Sequence, residues 1–553
     1  MINKFTIPED QVVFVSLGGA GEIGMNMYLY GYDGQWLMVD CGVTFSHGSL
    51  PAMDVVLPDP TFISGYGKSL IGLVITHGHE DHLGAVGWLW PQLRCPVYTT
   101  PFTAALLNRK LAEVGLEYDV PVHPMALGGQ LTLGPFAIEF VPLTHSIPEP
   151  VALAIRTSAG TIVHSGDWKF DPAPMVGRVT DIAALARLGT EGVMAMIGDS
   201  TNVFTMGSSG SEADVRASLT RLFANVESRI AVTCFASNIA RLESITVAAT
   251  ANGRKVALLG RSLWRLVEAA QQLGYLSSLC FHTAQDMIGL PQSCVLYVCT
   301  GSQGEPRAAL ARVAALNHPY VRLGHGDMVV FSSRIIPGNE RAIHGLHNQF
   351  VRLGARVVTE CDYFVHVSGH PGQPEMAEMY QLVRPRLLVP IHGEMRHLVA
   401  HADLVRSYGM ASMVVENGQM ITLGPAQPSF LGTVPVGKMI VDGHRLIPSD
   451  SQIFRSRKRM VFNGFAALTL VVDSAGHLLH DPQLTASSVL NPEEEENEGN
   501  TVVAAVRAAI SRLSIDERCD DDSIRAAARS AMRRSFQESL GKKPLTEVHL
   551  VRM

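Results

Sequence analysis

The segment His77-Gly78-His79-Glu80-Asp81-His82 places three imidazoles and an aspartate within six residues, directly after the apolar run at residues 73–76. This pattern predicts a β-strand that ends in a loop built to hold metal. Histidine nitrogen and carboxylate oxygen are the usual ligands of zinc, and two ligand types at such close spacing can serve two adjacent ions. The segment therefore predicts a metal site.

Three more candidate ligands follow other apolar runs. His145 comes after residues 140–144, Asp167 follows a run that begins at Thr161, and His392 follows residues 387–391. A single histidine is more often a structural residue than a ligand, but all three share a position just past a predicted strand. A carboxylate such as Asp167 can bridge two ions, whereas an imidazole cannot. We therefore expect these residues to complete a two-metal site.

The composition indicates a large folded protein. The 553 residues suffice for about three domains at ~150 residues each. Hydrophobic residues make up 47% and charged residues 17%, which excludes global disorder. The net charge of -7 argues against non-specific coating of nucleic acid but allows a local basic groove.

The cysteine pattern and the first residues of the chain indicate the cellular compartment. Eight cysteines are scattered without a C-x-x-C pair, which fits buried thiols in a reducing environment. Residues 1–5 lack the apolar segment of a signal peptide, and no apolar run approaches ~18 residues. We predict a soluble cytoplasmic protein without membrane contact.

Hydrophobic periodicity predicts mixed strands and helices. Residues 12–15, 27–30 and 36–39 are strand-like, with a hairpin turn at Tyr32-Asp33-Gly34. Helices predicted at 213–226 and 238–252 flank a strand that begins at Ile230, which indicates a parallel α/β layer.

The C-terminal part has a different pattern. Helices are predicted at 501–513 and 521–539, and a strand closes the chain at 546–551. The acidic run Glu493-Glu494-Glu495-Glu496 is interpreted as a solvated loop or linker.

Gly19-Ala20-Gly21-Glu22-Ile23-Gly24 matches the G-x-G-x-x-G pattern of dinucleotide folds. That pattern requires a helix after the glycines, yet residues 27–30 read as a strand. We interpret the segment as a tight turn between strands, without a nicotinamide site.

The ligand order resembles that of the metallo-β-lactamase fold, in which an aspartate precedes H-x-H-x-D-H, a histidine and a second aspartate. The matching residues are Asp40, His77, His79, Asp81, His82, His145 and Asp167. The resemblance implies that His77, His79 and His145 hold one zinc ion and that Asp81 and His82 hold the other, with Asp167 between them. Asp40 would orient ligands through hydrogen bonds.

Later motifs resemble those of the β-CASP nucleases, a branch with an extra α/β domain inserted in the metallo-β-lactamase fold. The three motifs are Gly198-Asp199-Ser200-Thr201-Asn202, His366-Val367-Ser368-Gly369-His370 and Pro390-Ile391-His392-Gly393-Glu394. Runs that begin at Phe235, Thr300 and Ser332 resemble the ribonuclease J family in particular. The similarity extends from about residue 10 to 445, and more weakly through Lys542-Lys543-Pro544.

The resemblance implies an α/β protein: a metallo-β-lactamase αββα sandwich with an inserted β-CASP α/β domain and a small C-terminal α+β domain. We predict that residues 1–212 and 373–450 form the two parts of the metallo-β-lactamase domain. Residues 213–372 would form the β-CASP domain, and residues 451–553 a linker and the C-terminal domain.

The family also implies the chemistry. Two Zn²⁺ ions per subunit, with Mn²⁺ or Mg²⁺ as alternatives, would generate the hydroxide that attacks phosphorus. His392 would complete the second metal site. Asp81, Asp199 and His370 are the implied catalytic residues. His370 would protonate the leaving oxygen, and Asp199 would orient the His370 imidazole. The alternative for Asp199 is a plain helix N-cap.

A phosphate pocket is implied near the second motif. His366, Ser368, Gly369 and His370 would form it, and Ser237 and Asn238 are further candidates. Residues 371–374, Pro-Gly-Gln-Pro, depart from the small and polar residues that the family more often has there. The basic tract 455–459 either touches RNA backbone or solubilises a linker, and Arg525, Arg529 and Arg533 are interpreted as a solvated helix face.

The resulting hypothesis is a ribonuclease with 5′-to-3′ exonuclease and endonuclease activity in RNA maturation and decay. Its substrate would be single-stranded RNA with a 5′-monophosphate, and the protein would assemble as a homodimer or homotetramer. Three alternatives remain: a DNA-processing β-CASP nuclease, a small-molecule metallo-hydrolase and an inactive RNA-binding scaffold. His392 disfavours the first, because DNA-type relatives tend to carry valine there. The long insertion disfavours the second, and the complete ligand set disfavours the third.

Overall fold

The computed structural model describes residues 5–45 and 54–553, apart from the side chains of Glu495 and Glu496. Residues 1–4, which were included in the signal-peptide argument, lie outside this range. Residues 5–45 and 54–446 form one compact unit, and residues 447–553 form a second. The domain boundaries expected from the sequence stay predictions.

The strands that begin in the first unit are, in chain order, β1 Val12–Gly18, β2 Ala20–Gly21, β3 Met27–Tyr32, β4 Gln35–Val39, β5 Thr44–Phe45, β6 Val55–Pro58, β7 Leu70–Val74, β8 Val97–Thr99, β9 Val122–Pro124, β10 Gln130–Leu133, β11 Phe136–Pro142, β12 Val151–Thr157, β13 Gly160–His164, β14 Ala195–Asp199, β15 Ile230–Thr233, β16 Lys255–Leu259, β17 Val295–Cys299, β18 Met328–Phe331, β19 Arg356–Val358, β20 Leu387–Ile391, β21 Gly393–Glu394, β22 Ala411–Ser412, β23 Gln419–Gly424, β24 Phe430–Thr433, β25 Lys438–Asp442 and β26 Arg445–Pro448.

Its helices are α1 Thr61–Ser64, α2 Glu80–Leu83, α3 Val86–Leu93, α4 Pro101–Glu113, α5 Ile182–Glu191, α6 Glu212–Ala224, α7 Ile239–Ala251, α8 Arg261–Gln272, α9 Ala309–Ala314, α10 Glu340–Arg352, α11 Gln373–Val383 and α12 Met395–Ser407.

Two large sheets face each other. One has eight strands in the order β24-β23-β1-β3-β4-β7-β8-β9, and the other has seven in the order β10-β11-β12-β13-β14-β20-β22. Phe14 and Tyr30 of the first sheet share one buried core with Phe140 and Ile197 of the second. Helices α5 and α11 cover the outer face of the seven-stranded sheet, and α3 and α4 cover that of the eight-stranded sheet. These four layers confirm the predicted αββα sandwich.

A hairpin turn joins β3 and β4, two neighbouring strands of the eight-stranded sheet. Asp33 and Gly34 both have positive φ, 47° and 71°. A two-residue turn of this kind matches the twist of the strands it joins, and Asp-Gly tolerates the conformation best. Gly24 is followed by strand β3 rather than by a helix, as expected. The segment is not a simple tight turn, because Ala20–Gly21 form strand β2, which pairs in parallel with β21.

A separate α/β layer lies between β14 and β20. Its five parallel strands are ordered β16-β17-β15-β18-β19. Helices α7 and α8 cover one face, and α9 and α10 cover the other. Strands β14 and β20 pair directly and in parallel, so the insertion leaves the seven-stranded sheet continuous. The predicted inserted α/β domain is therefore confirmed.

The second unit contains α13 Gln452–Asn463, β27 Phe465–Val472, β28 Gln483–Thr485, α14 Pro492–Ser511, α15 Ile515–Cys519, α16 Asp521–Leu540 and β29 Leu545–Arg552. Strands β27 and β29 pair in parallel, and α14 and α16 cover the sheet with a core of their own. This arrangement confirms the small C-terminal α+β domain.

The interpretation of the acidic run as a loop is wrong. Residues 493–496 lie in the first turns of α14, where Asn491 accepts from Glu494 N and Pro492 occupies the first position. Carboxylates are favourable at this end of a helix dipole, and an Asn-Pro start predicts a helix. In residues 5–45 and 54–553, no helix is long and apolar enough to cross a membrane.

Candidate metal centre and active site

Backbone hydrogen bonds hold the His77–His82 segment in place. The segment leaves β7 and enters the short helix α2. Cys41 N donates to His82 O at 2.7 Å, Val43 N donates to Glu80 O at 3.0 Å, and Asn26 N donates to Asp81 O at 3.0 Å. A Cβ at Gly42 would overlap the Asp81 carbonyl, so glycine is required at this close approach.

A first group of possible ligands consists of His77, His79, His145 and Asp167, whose ligand atoms lie within 4.8 Å of one another. His79 Nδ1 is 3.1 Å from both His77 Nε2 and His145 Nε2. Three imidazole nitrogens that converge so closely cannot all be satisfied by hydrogen bonds among themselves. They fit a cation that accepts their lone pairs.

A second group consists of Asp81, His82, Asp167 and His392. Asp167 Oδ2 is 3.2 Å from His82 Nε2 and 3.5 Å from His392 Nε2, and Asp81 Oδ2 is 3.6 Å from each of these nitrogens. Asp167 belongs to both groups, which is the position that a bridging carboxylate needs.

The protonation states of the first group suit cation binding. Burial lowers the pKa of His77 and His145 well below the ordinary value, and lowers that of His79 to about 4. Burial alone would raise the pKa of Asp167, but the imidazoles of His392, His82 and His370 hold it well below its usual range. Neutral imidazoles at His77, His79 and His145 and an ionised Asp167 are the states in which these groups bind metal. At His82, burial lowers the pKa, but the Asp167, Asp81 and Asp40 carboxylates outweigh it and raise that pKa well above its ordinary value, so a cation there would displace a proton.

Asp40 bonds to one of these possible ligands from behind. Its carboxylate accepts from Thr76 N at 2.8 Å and lies 2.7 Å from His82 Nδ1, so His82 Nε2 faces the centre. Asp40 is fully buried and has positive φ, 60°. An oriented imidazole of this kind is usual at metal sites.

Asn26 is a site residue that sequence reasoning missed. Its Oδ1 lies 3.0 Å from His392 Nδ1 and accepts from Tyr28 Oη at 2.7 Å. Gly24 N also faces His392 Nδ1 at 3.3 Å, so both contacts hold this side of the ring and Nε2 faces the Asp81 and Asp167 carboxylates. The available signal was a fully buried amide directly before an apolar strand, which requires polar partners.

Asp199 and His370 form a hydrogen-bonded pair beside these groups. Asp199 Oδ2 lies 2.7 Å from His370 Nδ1, and Asp199 Oδ1 accepts from Thr201 N at 2.9 Å. The helix N-cap interpretation of Asp199 is wrong, because a turn follows it and the next helix, α6, begins only at Glu212. Burial lowers the pKa of His370, but the Asp199 and Asp167 carboxylates outweigh it and raise that pKa to about 9.

The predicted phosphate residues are only partly brought together. His366, Ser368, Gly369 and His370 lie on one loop, and Gly369 O is 2.5 Å from His145 Nδ1. Asn238 shares a small cavity with Ser368 and Gly369, but its side chain accepts from Arg241 N and caps α7. Ser237 makes no hydrogen bond to this loop among the residues that the structure describes. The departure at residues 371–374 forms the start of α11.

Four family models match consecutive parts of the chain. The metallo-beta-lactamase superfamily matches residues 20–230, and the beta-CASP domain of ribonuclease J matches residues 227–350. The Zn-dependent metallo-hydrolase RNA specificity domain matches residues 354–415, and the ribonuclease J C-terminal domain matches residues 452–553.

Similar proteins cover almost the whole chain. Ribonuclease J of Sinorhizobium meliloti (strain Sm2011 / Rm2011 / 2011) is 41% identical over 552 residues, 99% of this chain and 98% of that protein. Ribonuclease J 1 of Streptococcus pyogenes serotype M3 (strain ATCC BAA-595 / MGAS315) is 33% identical over 553 residues, 98% of each. A crystal structure of a protein of unknown function from Enterococcus faecalis V583 shares the fold, with a TM-score of 0.53 at 15% identity over 74% of this chain and 100% of that one. Domain order, site geometry and full-length similarity together show that the chain belongs to the ribonuclease J family of metallo-β-lactamase hydrolases.

Proposed function

We propose that this protein is a metal-dependent ribonuclease that hydrolyses phosphodiester bonds of single-stranded RNA. The observation that carries the proposal is the sharing of Asp167 by two ligand groups beside the Asp199–His370 pair. That arrangement combines a site for two cations with a proton donor. The relatives named Ribonuclease J support RNA as the substrate.

His77, His79, His145 and Asp167 would hold one metal ion, and Asp81, His82, Asp167 and His392 would hold a second. Zinc suits this set of imidazole and carboxylate ligands, and Mn²⁺ or Mg²⁺ are alternatives. Such ions activate water as a nucleophile and stabilise charge on a phosphoryl group. Asp40 and Asn26 keep the ligating nitrogens of His82 and His392 turned toward the centre.

His370 is the proposed general acid. Its Nδ1 faces Asp199, so Nε2 is the ring nitrogen left for the substrate. The pKa of about 9 keeps the imidazole protonated near neutral pH, so it can protonate the 3′ oxygen that leaves phosphorus. Asp199 is held in turn by Thr201 N and by Thr201 Oγ1.

The loop around Ser368 would bind a phosphate of the substrate. His366, Ser368 and Gly369 lie next to the first ligand group, because Gly369 contacts His145. A terminal phosphate held there would place the 5′ end of an RNA near the metal centre. This placement supports 5′-to-3′ exonuclease activity with a preference for 5′-monophosphates.

The remaining expectations are part of the same proposal. We expect some endonuclease activity, a role in RNA maturation and decay, assembly as a homodimer or homotetramer, and a cytoplasmic location. His392 at the third motif and the inserted domain favour RNA over a DNA or small-molecule substrate.

One digestion series tests the proposal. RNA of one sequence with a 5′-monophosphate, 5′-triphosphate or 5′-hydroxyl end is compared with the matching DNA, and metal content is measured on the same sample. We expect progressive 5′-to-3′ cleavage that is fastest for the monophosphate and about two metal ions per chain. Cleavage of DNA but not RNA, or cleavage by metal-free protein, would contradict the proposal.

A further inference from the structure

Two side chains outside the metal centre determine which hydrogen bonds the loop Val365–His370 can offer. Arg241 on α7 is fully buried and reaches the loop from the inserted domain, and Asn202, which is 6% exposed, reaches it from the end of β14. Each of them donates to an atom of the loop that could otherwise accept a hydrogen bond from substrate. The polarity of the loop therefore follows from these two contacts.

Arg241 faces the acceptor nitrogen of His366. Its Nη1 lies 3.2 Å from His366 Nδ1 and also donates to Ser332 O at 2.7 Å, and its Nε and Nη2 donate to the Glu212 carboxylate at 2.7 and 3.0 Å. A guanidinium has only donors and stays charged. Nη1 also faces Ser332 Oγ and Val365 O at 3.0 and 3.2 Å. In the described chain His366 Nδ1 has this donor and no acceptor beside it, which favours the neutral tautomer with its proton on Nε2.

Burial also disfavours the charged imidazole. The pKa of His366 lies well below its ordinary value because of burial and the positive charges of Arg241, Arg334 and Lys169. His366 Nε2 has no hydrogen-bond partner within the described part of the chain. It is therefore a neutral donor without a protein acceptor.

Asn202 sets the direction of the hydrogen bond that Ser368 can offer. Its Nδ2 donates to Ser368 Oγ at 2.7 Å and to His370 O at 3.0 Å, while Arg334 Nη1 donates to its Oδ1 at 3.3 Å. Only one orientation of the amide satisfies all three contacts. His370 N also donates to Ser368 Oγ at 3.2 Å. Both lone pairs of this oxygen are then in use, and its hydrogen is left to donate.

We infer that Arg241 and Asn202 are positioning residues that make the Val365–His370 loop a donor-only anion site, in which His366 Nε2–H and Ser368 Oγ–H bind phosphate oxygens of the RNA. This inference rests on the proposed function and adds two residues to it. A loop that offers only hydrogen-bond donors binds the acceptor oxygens of a phosphate and disfavours groups that can only donate. The phosphate is either the terminal 5′-monophosphate or an internal phosphodiester.

The tautomer is tested first, without catalysis. Full-length, metal-loaded protein with ¹⁵N-labelled histidine is studied by two-bond ¹H–¹⁵N spectroscopy, with the His366 signal assigned from His366→Gln. We expect the Nε2–H form at neutral pH and a shift of that signal on addition of inorganic phosphate. An Nδ1–H or doubly protonated ring, or a signal insensitive to phosphate, would overturn the inference. Because no RNA is cleaved here, the result does not depend on ribonuclease activity.

The substrate arm compares Arg241→Lys with Arg216→Lys. Arg216 pairs with Glu243 across the same two helices, α6 and α7, and has no hydrogen bond to the loop in the described chain. Lysine at position 241 can keep the ion pair with Glu212, but its single ammonium cannot reproduce the set of N–H donors by which the guanidinium reaches both Glu212 and the loop. We expect KM to rise about tenfold in Arg241→Lys relative to Arg216→Lys, as for loss of one charge-assisted hydrogen bond.

The source of the phosphate follows from the substrate used. A rise in KM for 5′-monophosphorylated RNA but not for 5′-hydroxyl RNA supports a terminal phosphate, and an equal rise for both supports an internal one. Equal KM values in the two lysine variants would overturn the inference. If the wild-type protein cleaves no RNA, the proposed function fails, while the spectroscopic result still decides the polarity of the loop.

A second pair of variants, at His366, tests the inference if Arg241→Lys fails to fold. Glutamine at position 366 can place an amide N–H near the position of Nε2, whereas asparagine places it near Nδ1. We expect His366→Gln to keep KM within about threefold and His366→Asn to raise it about tenfold. The reverse order would contradict the assignment of Nε2 as the donor.

Discussion

The loops His77–His82 and Val365–His370 meet at His145, yet they are held by different kinds of contact. Backbone groups of Asn26, Cys41 and Val43 fix the first loop. Side chains of Arg241 and Asn202, which come from distant elements, fix the second. The first loop is anchored mainly by main-chain groups, with added side-chain bonds from Asn26 Nδ2 to Asp81 O and between Asp40 and His82.

The second loop depends on particular residue types elsewhere in the chain. Arg241 connects α7, α6 and the end of β18 to the loop through Glu212, Ser332 and Val365. One substitution at Arg241 therefore affects several contacts at once. A substitution behind the first loop should remove one or two bonds and leave its backbone in place.

The largest expected effect is at the ligands of the first loop. His79→Ala or Asp81→Ala should lower cleavage of 5′-monophosphorylated RNA by at least ~10³-fold, about 4 kcal/mol of transition-state stabilisation, because a metal ligand is lost. Bound metal should fall in the same samples, with the circular dichroism spectrum retained. Full activity in either variant would contradict the two-metal proposal.

His370→Ala should have the next largest effect on activity. We expect turnover to fall by about 10²–10⁴-fold, the range of a general acid, while metal content stays at the wild-type level. His370 Nδ1 lies 2.7 Å from Asp199 Oδ2, and the proposal assigns this imidazole to proton transfer rather than to the ligand set, although Asp167, Asp199, His370 and His392 also form a possible ligand group. A loss of metal in this variant would instead make His370 a ligand.

Arg241→Met should cost about 3–5 kcal/mol of stability, because it leaves the buried Glu212 carboxylate without its partner. The double variant Arg241→Met with Glu212→Gln removes both charges and should recover most of that loss. Urea unfolding, monitored by a probe in the first unit, measures the free energy of unfolding of the single and the double variant. If the single and double variants were equally unstable, the orphaned carboxylate would not be the cause.

The smallest effect should come from Thr76→Val behind the first loop. It removes the hydroxyl that bonds to Asp40 at 3.0–3.1 Å but keeps the bond from Thr76 N. We expect a loss of about 1–2 kcal/mol and retained metal binding. A loss as large as that of Arg241→Met would remove the distinction between the two loops.

Local patterns allowed much of the fold to be predicted from sequence. The Asp33-Gly34 turn, the apolar runs and the spacing of the His77–His82 segment are all short-range signals. Strand ends also placed His145, Asp167 and His392 at one edge, which is where the structure brings them together. Their roles as ligands stay predictions.

Long-range contacts limited the rest. Arg241 and Glu212 are 29 residues apart, and Arg241 and His366 are 125 apart, so no periodicity joins them. Asn26 lies 366 residues from His392. The error at residues 493–496 had a different cause: charge alone suggested a loop, whereas the cap at Asn491 decides that a helix begins there.

The direct pairing of β14 with β20 has a consequence during translation. His392 follows β20, so a nascent chain lacks one residue of the proposed second ligand group until the whole inserted domain has been synthesised. At ~5–20 residues per second, the interval between His82 and His392 is roughly 15–60 s. Throughout that interval the growing protein lacks a complete catalytic centre beside the messenger RNA that encodes it.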